Sequence, residues 1–80
     1  MEELIGFVSG NDKREKILGI LGHHGPLDQI LLAKRGRMIP QSAAKILDEL
    51  KDKGLVEEND GTFSLTEKGT EVENKMKTLR

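Results

Sequence analysis

The stretch RMIPQSAAKILDELKDKGLV, from Arg37 to Val56, decides how the rest of the chain is read. Its second half predicts an amphipathic helix, because Ala43, Ile46, Leu47 and Leu50 follow the three-four spacing of a buried stripe. Pro40 suits the first helical position, where a missing N–H does no harm, and Gly54 suits a helix end. The helix is expected over about Pro40 to Lys53. Its opening is unusual. Pro40, Gln41, Ser42, Ala43 and Ala44 are small or uncharged in a chain in which 34% of residues are charged. Such a start serves either packing or recognition.

Upstream, PLDQILLAKRG predicts a short helix. Asp28 is a good N-cap, and Leu27 and Leu32 stand at the spacing of a hydrophobic staple. Ile30, Leu31 and Ala33 complete it, and Gly36 suits the left-handed conformation that ends a helix. Further back, DKREKILGILG predicts a helix that buries Ile17, Leu18 and Leu21, with Ile20 flanking. Ser9 or Asn11 would cap it, Asp12 and Glu15 suit its positive end, and GHHGP stops it. The opening MEELIGFVSG carries Leu4, Ile5, Phe7 and Val8 and fits either a short helix or an extended segment.

Downstream, Leu55 and Val56 begin a strand, Asn59, Asp60 and Gly61 are turn residues, and TFSL alternates polar with apolar. That is a β-hairpin. Thr66 is then expected to cap a last helix, EKGTEVENKMKTLR, with Val72, Met76 and Leu79 on one face. The order is helix, helix, helix, hairpin, helix, read as one domain over residues 1–80 with no internal repeat.

Composition narrows the function. With two Phe and neither Trp nor Tyr, the core of an 80-residue chain must be aliphatic and small, a situation often relieved by a partner subunit. The absence of Cys excludes disulfides and thiolate metal sites. No apolar run reaches spanning length and the first residues lack a signal pattern, so a cytoplasmic protein without membrane association is expected. The net charge is only −1, yet its distribution is uneven. Between Ile30 and Leu47 stand Lys34, Arg35, Arg37 and Lys45 with no acid. Between Asp48 and Asp60 six acids face two lysines. A local basic zone can attract phosphate, although solvated surface charge is the plainer explanation.

No phosphate-binding glycine loop, nucleophile motif or separated carboxylate pair is present, so no enzyme and no cofactor are expected. His23 and His24 are neighbours, and on a helix their side chains point about 100° apart, which suits a helix end better than a metal.

Two short helices joined by a tight turn, followed directly by a hairpin, outline a winged helix-turn-helix of α+β class. DQILLAKRGRMIPQSAAKILDELKDKGLV, the later FSLTEKG and the earlier KREKIL resemble small winged helix-turn-helix transcriptional regulators, broadly MarR-like and ArsR-like and especially archaeal ones. The resemblance covers nearly the whole chain. It implies that the helix from Pro40 lies in the major groove of double-stranded DNA. The spacing from Ala33 to Ala43 matches that family's, and on this register Gln41, Ser42, Ala44 and Lys45 face outward. Small residues then allow close approach, Gln can pair with adenine, Ser can bond to bases or phosphate, and Arg35 and Arg37 neutralise phosphate. The alternative for Pro40 to Ala44 is a first turn that merely packs well.

The chain departs from the family at two places. A leucine usually stands where Gly36 is, and a Ser or Thr cap where Ile39 is. Met38 could supply the missing contact, and a looser or longer turn is expected. The hairpin tip, with Glu57, Glu58 and Asp60, is acidic and would repel phosphate. The expected function is sequence-specific double-stranded DNA binding in transcriptional regulation, as a homodimer. The competing reading is a winged helix that docks a protein partner.

Overall fold

The apolar periodicities resolve into a helical core with a small sheet on one side. In the computed structural model, which describes residues 1–79, the order is α1 (Glu2–Ser9), α2 (Asp12–His24), β1 (Leu27–Asp28), α3 (Gln29–Gly36), α4 (Pro40–Asp52), β2 (Val56–Asn59), β3 (Thr62–Leu65) and α5 (Glu67–Leu79). The predicted end of the last helix at Arg80 lies outside the described residues. Ile17, Leu18 and Leu21 of α2 pack with Leu32 of α3, Leu47 and Leu50 of α4 and Val72 of α5 in one aliphatic cluster. The open choice at the N-terminus falls to helix. Val8 of α1 is fully buried and Leu4, Ile5 and Phe7 pack half-buried against the same cluster.

Each helix starts and stops for a local reason. Asn11, not Ser9, caps α2, its Oδ1 accepting from the backbone N–H of Lys13 at 2.9 Å and of Arg14 at 3.1 Å. Asp28 caps α3 through the N–H of Leu31 at 2.8 Å. α4 starts at Pro40 as expected, and Ile39 before it offers no side-chain cap. It ends in a Schellman turn: Leu55 N–H donates to Leu50 O, Gly54 N–H donates to Lys51 O, and Gly54 has φ 74°.

The end of α3 departs from expectation. Gly36 is buried inside the helix, and Arg37 takes the left-handed conformation, with φ 55° and ψ 47°. Arg37 N–H donates to Lys34 O and Met38 N–H to Ala33 O, the same Schellman pattern as α4. A Cβ on Gly36 would come to 2.8 Å from the Met38 methyl, so Met38 covers the glycine, although the end of so flexible a side chain could move aside. Met38 thus fills the place that a leucine at 36 would occupy. The turn is closed and short, not loose.

The hairpin pairs Asn59 with Thr62 through a two-residue turn in which Asp60 and Gly61 have φ 52° and 80°, both left-handed as a type I′ turn requires. A third strand accompanies it. Leu27 and Asp28 pair antiparallel with Phe63 and Thr62, giving the order β1-β3-β2. Two residues are too few to show a strand period, so only a helix cap was legible there. On α5, Val72 and Met76 are buried as expected, but Leu79 is 72% exposed.

Two separated motifs meet at the base of the hairpin. Thr66 caps α5, its Oγ1 accepting from Gly69 N–H at 3.0 Å and donating to Gly54 O at 2.7 Å. Its own N–H donates to Leu55 O. Gly69 lies so close to the Leu55 carbonyl that a Cβ there would overlap it. The Gly54-Leu55 bend and the Thr66 to Gly69 helix start are therefore one structural joint, which fixes the hairpin against α4 and α5.

Candidate nucleic-acid interface

The start of α4 is held by three neighbours. α3 packs directly on α4, and each buries a small side chain, Ala33 on α3 and Ala43 on α4. Gln29 Nε2 donates to Pro40 O at 3.2 Å, tying the start of α3 to the start of α4. The third tie is longer in sequence. Arg14 of α2 grips Glu49 of α4 with both ends of its guanidinium, Nε to Oε1 at 3.0 Å and Nη2 to Oε2 at 3.3 Å. Its Nη1 also donates to Phe7 O at 3.0 Å, and its guanidinium carbon lies 4.0 Å from the centre of the Phe7 ring. One arginine thus joins α1, α2 and α4. The Arg14 hydrogen bond, with the Arg14 and Lys45 charges, holds the Glu49 carboxyl below its usual pKa against the opposing effect of burial.

This frame leaves one side of α4 free. Gln41 and Lys45 are exposed, one turn apart on the side opposite the buried Ala43, Ile46, Leu47 and Leu50. Ser42 and Ala44 are half-buried on the two flanks. Ser42 lines a recess with Asn11, Lys13, Arg14 and Glu49. The predicted residues therefore do not share one face: Gln41 and Lys45 stand outermost, with Ser42 and Ala44 at the edges. Arg37 is exposed in the turn before α4. Arg35 is exposed at the end of α3, where its Nη1 lies 3.1 Å from His24 Nε2. Desolvation at the end of α2, then the charges of Arg35 and the neighbouring His23, lower the His24 pKa, and the Arg35 guanidinium, which can only donate, faces the ring nitrogen as a donor. Among the described residues no group of three or more His, Cys, Asp and Glu side chains is placed to hold a metal ion. No helix among the described residues is long and apolar enough to cross a membrane.

Two features of this surface go beyond their reading in the sequence, as an acidic run and as a missing cap. Asp48 and Asp52 continue the outward row of Gln41 and Lys45, so the exposed face turns from neutral and basic to acidic along its length. Their spacing from Gln41 held that signal. Ile39, at the N-cap, is 61% exposed, beside the equally apolar Met38 that turns inward. On the hairpin, Glu57 and Asp60 are exposed, whereas Glu58 pairs with Lys51 of α4 at 3.0 Å. The wing is acidic, but one of its three acids is balanced from α4.

A helix positioned by α3, entered through a three-residue turn and followed by a hairpin with a third strand at its edge, defines a winged helix-turn-helix protein. The chain belongs to the winged helix-turn-helix family, whose profile matches residues 28–80. Among solved structures it is similar to quinone-bound YodB from B. subtilis, at 25% identity and TM-score 0.85 over 98% of this chain and 89% of that one. It is also similar to ligand-free NadR, at 24% identity and TM-score 0.84 over 96% of this chain and 59% of that one. The MarR family protein Rv2887 of Mycobacterium tuberculosis aligns at 21% identity and TM-score 0.82, over 95% of this chain and 59% of that one. The chain thus spans 59% of the length of NadR and of Rv2887. A comparison with curated proteins finds no match.

Proposed function

We propose that this protein binds double-stranded DNA in a sequence-specific manner and regulates transcription. The observation that carries this reading is the exposed pair Gln41 and Lys45, set over buried Ala43 at the start of a helix that follows Lys34, Arg35 and Arg37, in a stretch from Ile30 to Leu47 whose sequence holds no acid. A helix with small residues at its opening fits the major groove of B-DNA. There Gln41 pairs with an adenine edge, Ala44 permits close approach, and Ser42 bonds to a base or a phosphate. Arg35, Arg37 and Lys45 neutralise phosphate. Asp48 and Asp52 keep the far half of α4 off the backbone, so the helix enters by its first turns. A fluorescence titration with random duplex DNA tests the reading. Binding at low salt that weakens steeply at physiological salt is expected; no binding at either salt contradicts it.

The likeness to MarR-family folds supports a homodimer, the commonest closed assembly for a small chain. Within one chain α1 already packs directly on α5. The apolar surface left over is smaller: Leu79 at 72% exposure and Met1 at 41%. Light scattering at micromolar protein should show twice the chain mass, and a clean monomer would exclude a stable dimer.

A second reading, a docking module for a protein partner, is favoured by the acidic hairpin and by Ile30, which is 68% exposed on α3. Its signature is DNA affinity that is absent even at low salt.

A further inference from the structure

We propose that Ile39 is a specificity-determining residue that reads thymine, packing its side chain on the C5-methyl group in the major groove. The inference rests on the DNA-binding reading above and goes beyond it by assigning a base preference to a residue that the fold itself does not use.

Three local costs coincide in the turn from Arg37 to Ile39. Arg37 holds a left-handed conformation that a side chain disfavours. Ile39 stands at a helix N-cap, where Ser, Thr, Asp or Asn would satisfy an orphan N–H, and makes no cap. The same Ile39 leaves a branched apolar side chain 61% exposed. The Schellman hydrogen bonds of the turn offset the first of these, whereas the missing side-chain cap and the exposed apolar side chain both fall on Ile39. The adjoining Met38 already fills the gap over Gly36, so Ile39 is not held back as a packing reserve. Local rules broken together, on a helix start that is otherwise well formed, mark a place where an outside partner supplies the missing stabilisation.

The surroundings specify that partner's chemistry. Lys34, Arg35, Arg37 and Lys45 flank Ile39 along the chain with no acid among them, which selects a polyanion. An exposed isoleucine at the centre of that zone selects a polyanion with apolar points. Duplex DNA meets both conditions, since the thymine C5-methyl is the apolar group of its major groove. Ile39 also precedes exposed Gln41 by two residues at the entering end of α4. A thymine methyl read by Ile39 next to an adenine edge read by Gln41 amounts to preference for an A·T-rich step.

The test uses the full chain, a duplex selected from a random pool, and the same duplex with every thymine replaced by deoxyuracil, which lacks only the methyl. The wild-type protein should bind the uracil duplex about fourfold more weakly for each methyl covered. Ile39→Ser should bind the two duplexes equally while keeping its loss on Gln41→Ala substitution. Ser restores a side-chain cap, so Ile39→Ser should also melt at or above the wild-type temperature. Equal wild-type affinity for the two duplexes overturns the assignment while leaving DNA binding intact. A thymine-to-uracil difference that persists in Ile39→Ser overturns it as well, because another residue then reads the methyl. Melting below wild type overturns the premise that the fold does not need Ile39. Failure of the wild type to bind any duplex at low salt overturns the DNA reading and this assignment together.

Discussion

Arg37 and Gly54 occupy the same position in the same kind of turn, at the ends of α3 and α4, and only one of them is glycine. A side chain in the left-handed region costs about 1–2 kcal/mol, part of which glycine gives back through its freer unfolded chain. Arg37→Gly should therefore leave the fold as stable as wild type or stabilise it by up to about 1 kcal/mol, read by thermal melting. The same change should weaken all DNA duplexes alike, because a phosphate-neutralising charge is lost. A protein that melts several degrees lower would show that the Arg37 side chain, not its charge towards a partner, is what the turn requires. The same scale shows what a sequence conceals. Asp28, Asn11 and Thr66 were legible as caps because capping chemistry is local. Gly36 misled because glycine has two uses, and here it lies buried inside α3 under the Met38 side chain instead of ending the helix.

Between elements, the joint formed by Gly54, Leu55, Thr66 and Gly69 explains why two motifs that lie apart in sequence act together. Helix propensity alone predicts that alanine at Gly69 is better by about 1 kcal/mol. Contact with the Leu55 backbone predicts the reverse, and contact wins here because backbone cannot yield as a flexible side chain can. Gly69→Ala should lower stability by about 1–3 kcal/mol in denaturant melts, the usual cost of overpacking; a stabilised variant would show that α5 can shift away from the bend. The hairpin carries its own test. Neutralising Glu57, Glu58 and Asp60 to Gln, Gln and Asn should strengthen non-specific DNA binding at low salt by removing repulsion. Unchanged affinity would place the wing away from the duplex. Most elements were legible because their apolar stripes repeat with the right period: Ile17, Leu18 and Leu21 on α2, and Ala43, Ile46, Leu47 and Leu50 on α4. β1 was not, having two residues and no period. Nor was the Arg14–Glu49 clamp, whose partners stand 35 residues apart and resemble ordinary surface charges until the helices bring them together.

At the scale of the molecule, the fold holds one helix start in place and leaves its outer side open. α1, α2 and α4 are joined through Arg14, α3 reaches α4 through Gln29, and the hairpin is fixed through Thr66. What this frame exposes is a short neutral and basic surface bounded by acids, Asp48 and Asp52 along α4 and Glu57 and Asp60 on the wing. The register of the family resemblance placed Gln41, Ser42, Ala44 and Lys45 outward together; the spacing of 100° per residue from the buried stripe separates them, with Gln41 and Lys45 outermost and Ser42 and Ala44 on the flanks. The most direct test of the central claim is a salt series of binding titrations on one selected duplex and one scrambled duplex, comparing wild type with Arg35→Ala, Arg37→Ala and Gln41→Ala. Each Arg change should weaken both duplexes about equally and reduce the salt slope by about one unit. Gln41→Ala should cost about 1–3 kcal/mol on the selected duplex and leave the scrambled one unchanged. Affinities that no substitution alters would contradict the claim that this end of α4 reads DNA.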